Sequence, residues 1–205
     1  VELRRGGAVE AVAARVVLLA AGALSTPRLL MASGLGGGAA GRNLMLHLNE
    51  TFAVWPGVEG GGPSKGIGMR DLMRIGGEPM GMVQAMGVAA REGEILHYLR
   101  RRLAERAWGR ARLVQEGARL PAALAARWLG AARLYVGLLE DRPDPGNRVL
   151  PDGGPGGGIA VRYRVTAELE ARRATFRRAI RRAFRGLRPV FLHRAAEPNW
   201  GHACG

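Results

Sequence analysis

Apolar positions along the chain change period from stretch to stretch, and the changes mark out elements. Val16 to Leu19 is an unbroken apolar run ending in small residues, Ala20-Ala21-Gly22. A run without alternation suits a strand buried on both faces, as in a parallel sheet. The pattern then predicts a helix over 26–33. Thr26 suits its cap, and Pro27 fits its first turn, where a missing N–H costs nothing; Gly34 and Gly36 end it. Ahead of the run, Val1-Glu2-Leu3, the turn Arg5-Gly6-Gly7 and Val9 to Ala13 read as a hairpin. In open α/β sheets, small residues at the carboxyl end of a strand mark the side where ligands bind.

Further along, Asn49 to Pro56 reads as a strand and Gly57 to Gly68 as a glycine-rich loop. The five methionines of 69–86 fit ordinary strand core better than an adaptable pocket lining. Glu94 to Gln115 is helical, with Leu96, Leu99 and Leu103 on one face. A second, alanine-rich helix covers Leu120 to Ala132, and Arg133 to Glu140 is a strand. Asp144-Pro145-Gly146-Asn147 is turn chemistry, Gly153 to Gly158 a loop, and Ile159 to Val165 an alternating strand. The clearest helix is Thr166 to Arg185. Thr166 caps it and Glu168 and Glu170 favour its positive end. Leu169, Phe176, Ile180, Ala183 and Leu187 form its apolar stripe. Seven arginines from Arg172 to Arg185 fill the other face, which reads as solvated surface. A membrane-binding face would need a broader apolar side with exposed aromatics.

Composition alters this picture in two places. The net charge of +14 over 205 residues invites a nucleic-acid reading, a basic module built on the Arg172–Arg185 helix. However, Lys65 is the only lysine, and Gly and Ala abound, a pattern closer to coding bias than to a phosphate-binding surface with stacking aromatics. Cys204 is the sole cysteine, which excludes an internal disulfide and a cysteine-based zinc site. No metal site is expected. The longest apolar stretch is too short to span a bilayer, there is no signal peptide at the start, and a cytoplasmic place is favoured. Gly36, Gly38 and Gly41 spell G-x-G-x-x-G, but they follow a helix rather than a strand and lead to Arg42-Asn43-Leu44, so a loop is the better reading.

Several stretches share a common likeness. Gly22-Ala23, Ser25-Thr26-Pro27, Leu29-Leu30 and Ser33-Gly34-Leu35-Gly36 resemble, at the right spacing, a signature of the glucose-methanol-choline oxidoreductases, FAD-dependent alcohol oxidases and dehydrogenases. Gly41-Arg42-Asn43-Leu44 with His47 is similar to a stretch that lies close to the flavin in that family. Pro143 to Val149 resembles the segment at which its carboxy-terminal region begins. His202 and Gly205 match an H-x-x-G-T sequence whose histidine is catalytic; His193 has no such support.

The resemblance implies an α/β (α+β) chain: residues 1–48 as part of a Rossmann-like FAD-binding domain, 49–190 as a substrate domain with a mainly antiparallel sheet and flanking helices, and 191–205 as the start of a closing segment. It implies FAD as cofactor, with Ala21, Gly22, Ala23, Asn43 and His202 near it. His202 would be the base that removes the hydroxyl proton of a small-molecule alcohol while hydride goes to flavin N5. The electron acceptor, oxygen, a quinone or another, is left open, and neither a nucleic-acid partner nor a membrane span is expected. The family's amino-terminal glycine fingerprint is not among these residues. Together with the start at Val1 and the stop just after His202, this gives the expectation of a fragment of a longer protein, unable to bind FAD tightly or turn over by itself.

Overall fold

The computed structural model describes residues 1–57, 65–151 and 158–204. In chain order these form β1 (Glu2–Arg5), β2 (Ala8–Ala11), α1 (Gly22–Ala32), β3 (Met45–Val54), β4 (Gly68–Met69), β5 (Arg74–Ile75), β6 (Glu78–Pro79) and β7 (Gly81–Ala85). There follow α2 (Glu92–Ala104), α3 (Arg112–Gly117), α4 (Arg119–Leu129), β8 (Arg133–Leu139), β9 (Arg148–Pro151), β10 (Ile159–Arg162), α5 (Ala167–Ala183), β11 (Val190–Phe191) and β12 (Pro198–Cys204). Most of the two glycine-rich loops expected around residues 60 and 155, and Gly205, lie outside the described residues. The result is a mixture of helices and antiparallel sheet, as expected.

The chain divides into two compact units. One is Val1–Met45 with Pro143–Tyr163 and Ala203–Gly205; the other is Leu46–Arg142 with Arg164–His202. The first unit opens with the expected hairpin, β1 against β2. The apolar run after it is not the buried strand that its composition suggests. Val16 to Leu19 pair with no strand among the described residues, and Val16 and Leu18 are 74% and 88% exposed. Burial of such a run on both faces needs flanking strands, and the described residues place none beside it. α1 starts at Gly22, four residues before the expected cap. Thr26 serves that start differently, its Oγ1 accepting the Ala21 N–H at 3.2 Å. The helix ends as expected near Gly34, which takes left-handed geometry at φ +67°. In the Asp144 turn, the carboxylate accepts the Gly146 N–H at 2.6 Å, and Asn147 N–H reaches the Asp144 carbonyl at 3.0 Å.

The second unit is built on a six-stranded sheet in which β11, β3, β8, β7 and β4 follow one another and β12 also pairs with β3. β3 alternates, burying Leu46, Leu48, Glu50 and Phe52 on one face. α5 covers that face with Leu169, Phe176 and Ile180, all fully buried. Thr166 caps α5 as expected, its hydroxyl accepting the Leu169 N–H at 3.1 Å. Gly137 of β8 sits opposite Glu50 in the register. A Cβ there would lie 2.8 Å from the Phe176 ring, so the absence of a side chain is what lets the helix sit down on the sheet. Met80 belongs to this core and Met69 packs against it, the strand-core role expected of the methionines. On the other face Ala53, Leu129, Ala132 and Leu134 pack with Trp55 and Ile95 under α2 and α4. The single helix expected over 94–115 is broken in two, because Arg106 takes extended geometry before a short 3-10 turn at Ala107–Arg110.

The arginine face of α5 departs most from expectation. Arg172 and Arg173 are buried. Both Arg173 and Arg177 pair with the carboxylate of Glu50, which is fully buried. Arg173 also donates to the carbonyls of Arg194 and Ala195 at 2.8 and 2.9 Å, and Arg177 to that of His193 at 2.6 Å. Arg172 donates to the carbonyls of Glu140 and Pro79 at 2.7 and 2.6 Å. Three of the seven arginines therefore clamp loops and strands inside the unit. Only the remainder, such as Arg178 and Arg182, is solvated, so the basic helix offers far less of a phosphate-binding face than its sequence suggests.

Two outcomes follow from this arrangement. Glu50→Gln leaves two guanidiniums without their buried counter-charge, and urea unfolding should show a loss of about 3–5 kcal/mol. The half-buried His193 accepts the Thr51 N–H at Nε2, 3.1 Å, with Nδ1 3.1 Å from Glu197. Burial pushes this imidazole below its ordinary value, outweighing Glu197 and Glu50, which favour its charge; Arg177 and Arg173 act with burial. A depressed folded value means its contribution is complete above the unfolded value and is lost as pH falls through the folded one. The melting midpoint should fall between about pH 7 and about pH 5, and less steeply in His193→Gln.

Candidate functional site

The loop from Gly34 to Leu44 shapes a hollow in the first unit. Gly36 is left-handed and leads into a single 3-10 turn, Gly37–Ala39, so the glycine triplet is a loop and opens no long helix. Gly41, also left-handed at φ +78°, is buried. A Cβ on it would lie 2.5 Å from the Val149 carbonyl and 3.1 Å from the Met31 methyl. That close approach lets the Gly41 carbonyl accept the Val149 N–H at 2.7 Å and Leu44 N–H reach the Asn147 carbonyl at 3.0 Å. Residues 41–44 are thus stitched to 147–149, a hundred residues on.

The hollow encloses about 670 Å³. Its walls are mostly small or apolar, among them Leu19, Gly22, Ala23, Leu30, Ala40 and Leu44, with Val149 and Ala203 closing it. Arg42 is the only charged residue among those lining it, and Thr26 and Cys204 add a hydroxyl and a thiol. The Cys204 thiol lies 3.7 Å from the Met45 carbonyl. Walls of this kind suit a flat, largely apolar ring system held with few polar contacts.

Of the residues singled out from the sequence, Gly22 and Ala23 line the hollow. Ala21 sits at the start of α1 with its N–H on Thr26, and Asn43 is half-buried at φ +62°, a left-handed position that asparagine tolerates. Neither is among the lining residues. His202 belongs to the second unit. Its ring meets His47 edge to face, centroids 5.6 Å apart and planes at 89°. His47 Nδ1 is buried with no hydrogen-bond partner. His193 is held away in the Glu50 network described above. The sequence reading missed Leu30, Ala40, Val149 and Ala203 as lining residues. Their advance signals were their places: Leu30 in the Leu29-Leu30 signature, Ala40 beside Gly41, Val149 after Asp-Pro-Gly-Asn, and Ala203 next to His202. Among the described residues no group of His, Cys, Asp and Glu could hold a metal, and no helix is long and apolar enough to cross a membrane.

Residues 1–49, which carry α1, the glycine loop and the start of β3, match the family model described as GMC oxidoreductase. The match covers 49 of the 205 residues and supports a place among the GMC oxidoreductases. No curated protein matches the chain. A GMC oxidoreductase binds FAD through its amino-terminal domain, and FAD is the cofactor. The hollow fits such a group: Gly22, Ala23 and Ala40 leave its space open where larger side chains would fill it. Gly41→Ala must displace the Val149 backbone as well as strain φ; a loss of about 2–4 kcal/mol in thermal or urea unfolding is expected, against under about 1 kcal/mol for Gly38→Ala, whose Cβ would meet nothing and whose φ is not left-handed.

Proposed function

We propose that the protein oxidises a small-molecule alcohol and that His202 accepts the hydroxyl proton. The observation that carries the proposal is the family match over residues 1–49, which makes the chain part of a flavin-type oxidoreductase. When bound, FAD would supply a two-electron acceptor for the hydride of the carbinol carbon. The role of His202 rests on its place in the H-x-x-G stretch, His202 to Gly205, following the Asn147-Arg148-Val149 segment in the family's order. Imidazole suits the task because it changes charge near neutral pH.

The chain's own residues supply placement. His47, packed edge to face on His202, restricts the rotation of that ring. A fixed ring holds its nitrogen on one line, and orientation counts for as much as basicity in such a step. Ala21, Gly22 and Ala23 would keep the wall beside the cofactor free of bulk. Asn43, left-handed in the tight turn after Gly41, would present its neighbouring backbone to the same group. The residues that recognise the alcohol would come from 49–190, the stretch that the resemblance makes a substrate domain.

Two measurements test the reading. The 205-residue chain by itself, which holds no amino-terminal glycine fingerprint, should purify colourless and without turnover. In the product of the complete reading frame containing these residues, alcohols should bleach the yellow flavin absorbance without oxygen. His202→Ala should slow that bleaching by about 10²–10⁴-fold while FAD content is unchanged. A variant that bleaches at the parent rate removes His202 from the role, and a flavin that no alcohol bleaches removes the alcohol.

A further inference from the structure

The helix α4 is apolar on two opposite sides. Its inner side buries Ala122 and Leu129. On its outer side Leu120, Leu124 and Trp128 follow one another at four-residue intervals, which places them on one stripe. They are 69%, 60% and 55% exposed. Leu113 of α3 and Trp108 of the preceding turn are exposed as well. A helix apolar all round is ordinarily buried on all sides, and among the described residues nothing covers this one's outer face. The Trp128 ring is nevertheless fixed, packed on Trp55 with centroids 5.0 Å apart.

The surroundings are cationic. Residues 91–133 hold ten arginines against four glutamates. Two of those glutamates are already engaged: Glu105 by Arg102 at 3.2 Å, and Glu116 by Arg100 and Arg119 at 2.9 and 2.6 Å. Arg127 lies on the outer stripe itself, and the Arg106 guanidinium lies over the Trp108 ring at 5.6 Å from its centroid. Leucine and tryptophan on an outward helical face, ringed by arginine, is the chemistry of a helix lying in the headgroup region of an anionic bilayer.

We propose that the outer face of α4, with Trp108 and Leu113 beside it, seats this protein on an anionic lipid surface. Charge complementarity selects that occupant. A second copy would bring a like-charged rim against this one, which is unfavourable. Leu120, Leu124 and Trp128 enter the boundary between headgroups and acyl chains, and Arg127 and its neighbours meet lipid phosphates. The same criterion that excludes α5, whose phenylalanines belong to the core, is met at α4.

The test uses the 205-residue chain and sedimenting vesicles of phosphatidylcholine, either pure or with about one phosphatidylglycerol in four. The chain should pellet with the anionic vesicles and its tryptophan emission should shift to the blue. Leu124→Glu should weaken binding by at least about tenfold, since it removes buried apolar area and adds a like charge to the bilayer's own. Arg127→Gln should weaken it about fivefold. Both side chains are exposed, so circular dichroism should be unchanged, and Arg181→Gln with Arg182→Gln on α5 should leave binding within about twofold. The proposal is overturned if the folded chain stays in the supernatant, if Leu124→Glu binds as well as the parent, or if only the α5 pair matters. It is equally overturned if sedimentation velocity shows a dimer that Leu124→Glu splits, since the face would then belong to a second copy.

Discussion

A carboxylate without access to water organises the larger unit. Glu50 stands in a row of apolar residues on β3, where an uncompensated charge would cost several kcal/mol. Arg173 and Arg177 supply the compensation from two consecutive turns of α5, and their remaining N–H groups hold the carbonyls of 193–195. One negative charge thereby fixes three things: the rotation of α5, its height above the sheet, and the path of the chain after β11. Gly137, directly across the register, leaves the space that lets Phe176 reach the same layer. An apolar core alone would hold the helix to the sheet, but it would tolerate sliding. A buried ion triad tolerates only one register.

In the first unit the corresponding constraint is steric. Gly41 lies so close to Val149 that only a hydrogen atom fits between its Cα and the neighbouring carbonyl. The backbone bonds between 41–44 and 147–149 make one wall of the hollow from two distant segments. The flavin chemistry expected of a GMC oxidoreductase needs space and fixed walls more than charged groups, and small residues with left-handed glycines provide both.

Local chemistry was legible in the sequence wherever it acts within a turn or two. The Thr166 cap, the Asp144 turn, the hairpin at Gly6-Gly7 and the strand at Arg133–Leu139 are all present where residue types put them. What was not legible depends on partners far along the chain. Arg172, Arg173 and Arg177 follow the spacing of a solvated face, and only the presence of Glu50, more than a hundred residues earlier, draws two of them inside. Val16 to Leu19 has the composition of a buried strand, yet burial is a property of neighbours and not of the run. Gly22 and Ala23 were readable as residues that line the hollow because their smallness is itself the signal. Val149 was not, because its role is carried by its backbone.

The bare run Val16–Leu19 has a further consequence for handling the molecule. Four apolar residues, two of them β-branched, have amide edges paired by no described strand, next to a hairpin that is also exposed. Such an edge accepts another copy of itself as readily as a native neighbour. The surface around the run contributes little like-charge repulsion to prevent it: Arg15 precedes it, and Ala20 to Leu24 follow without a charge. Precipitation of this chain at high concentration would therefore begin here, by strand-to-strand addition between copies, and a single lysine in place of Val17 would act as a gatekeeper against it.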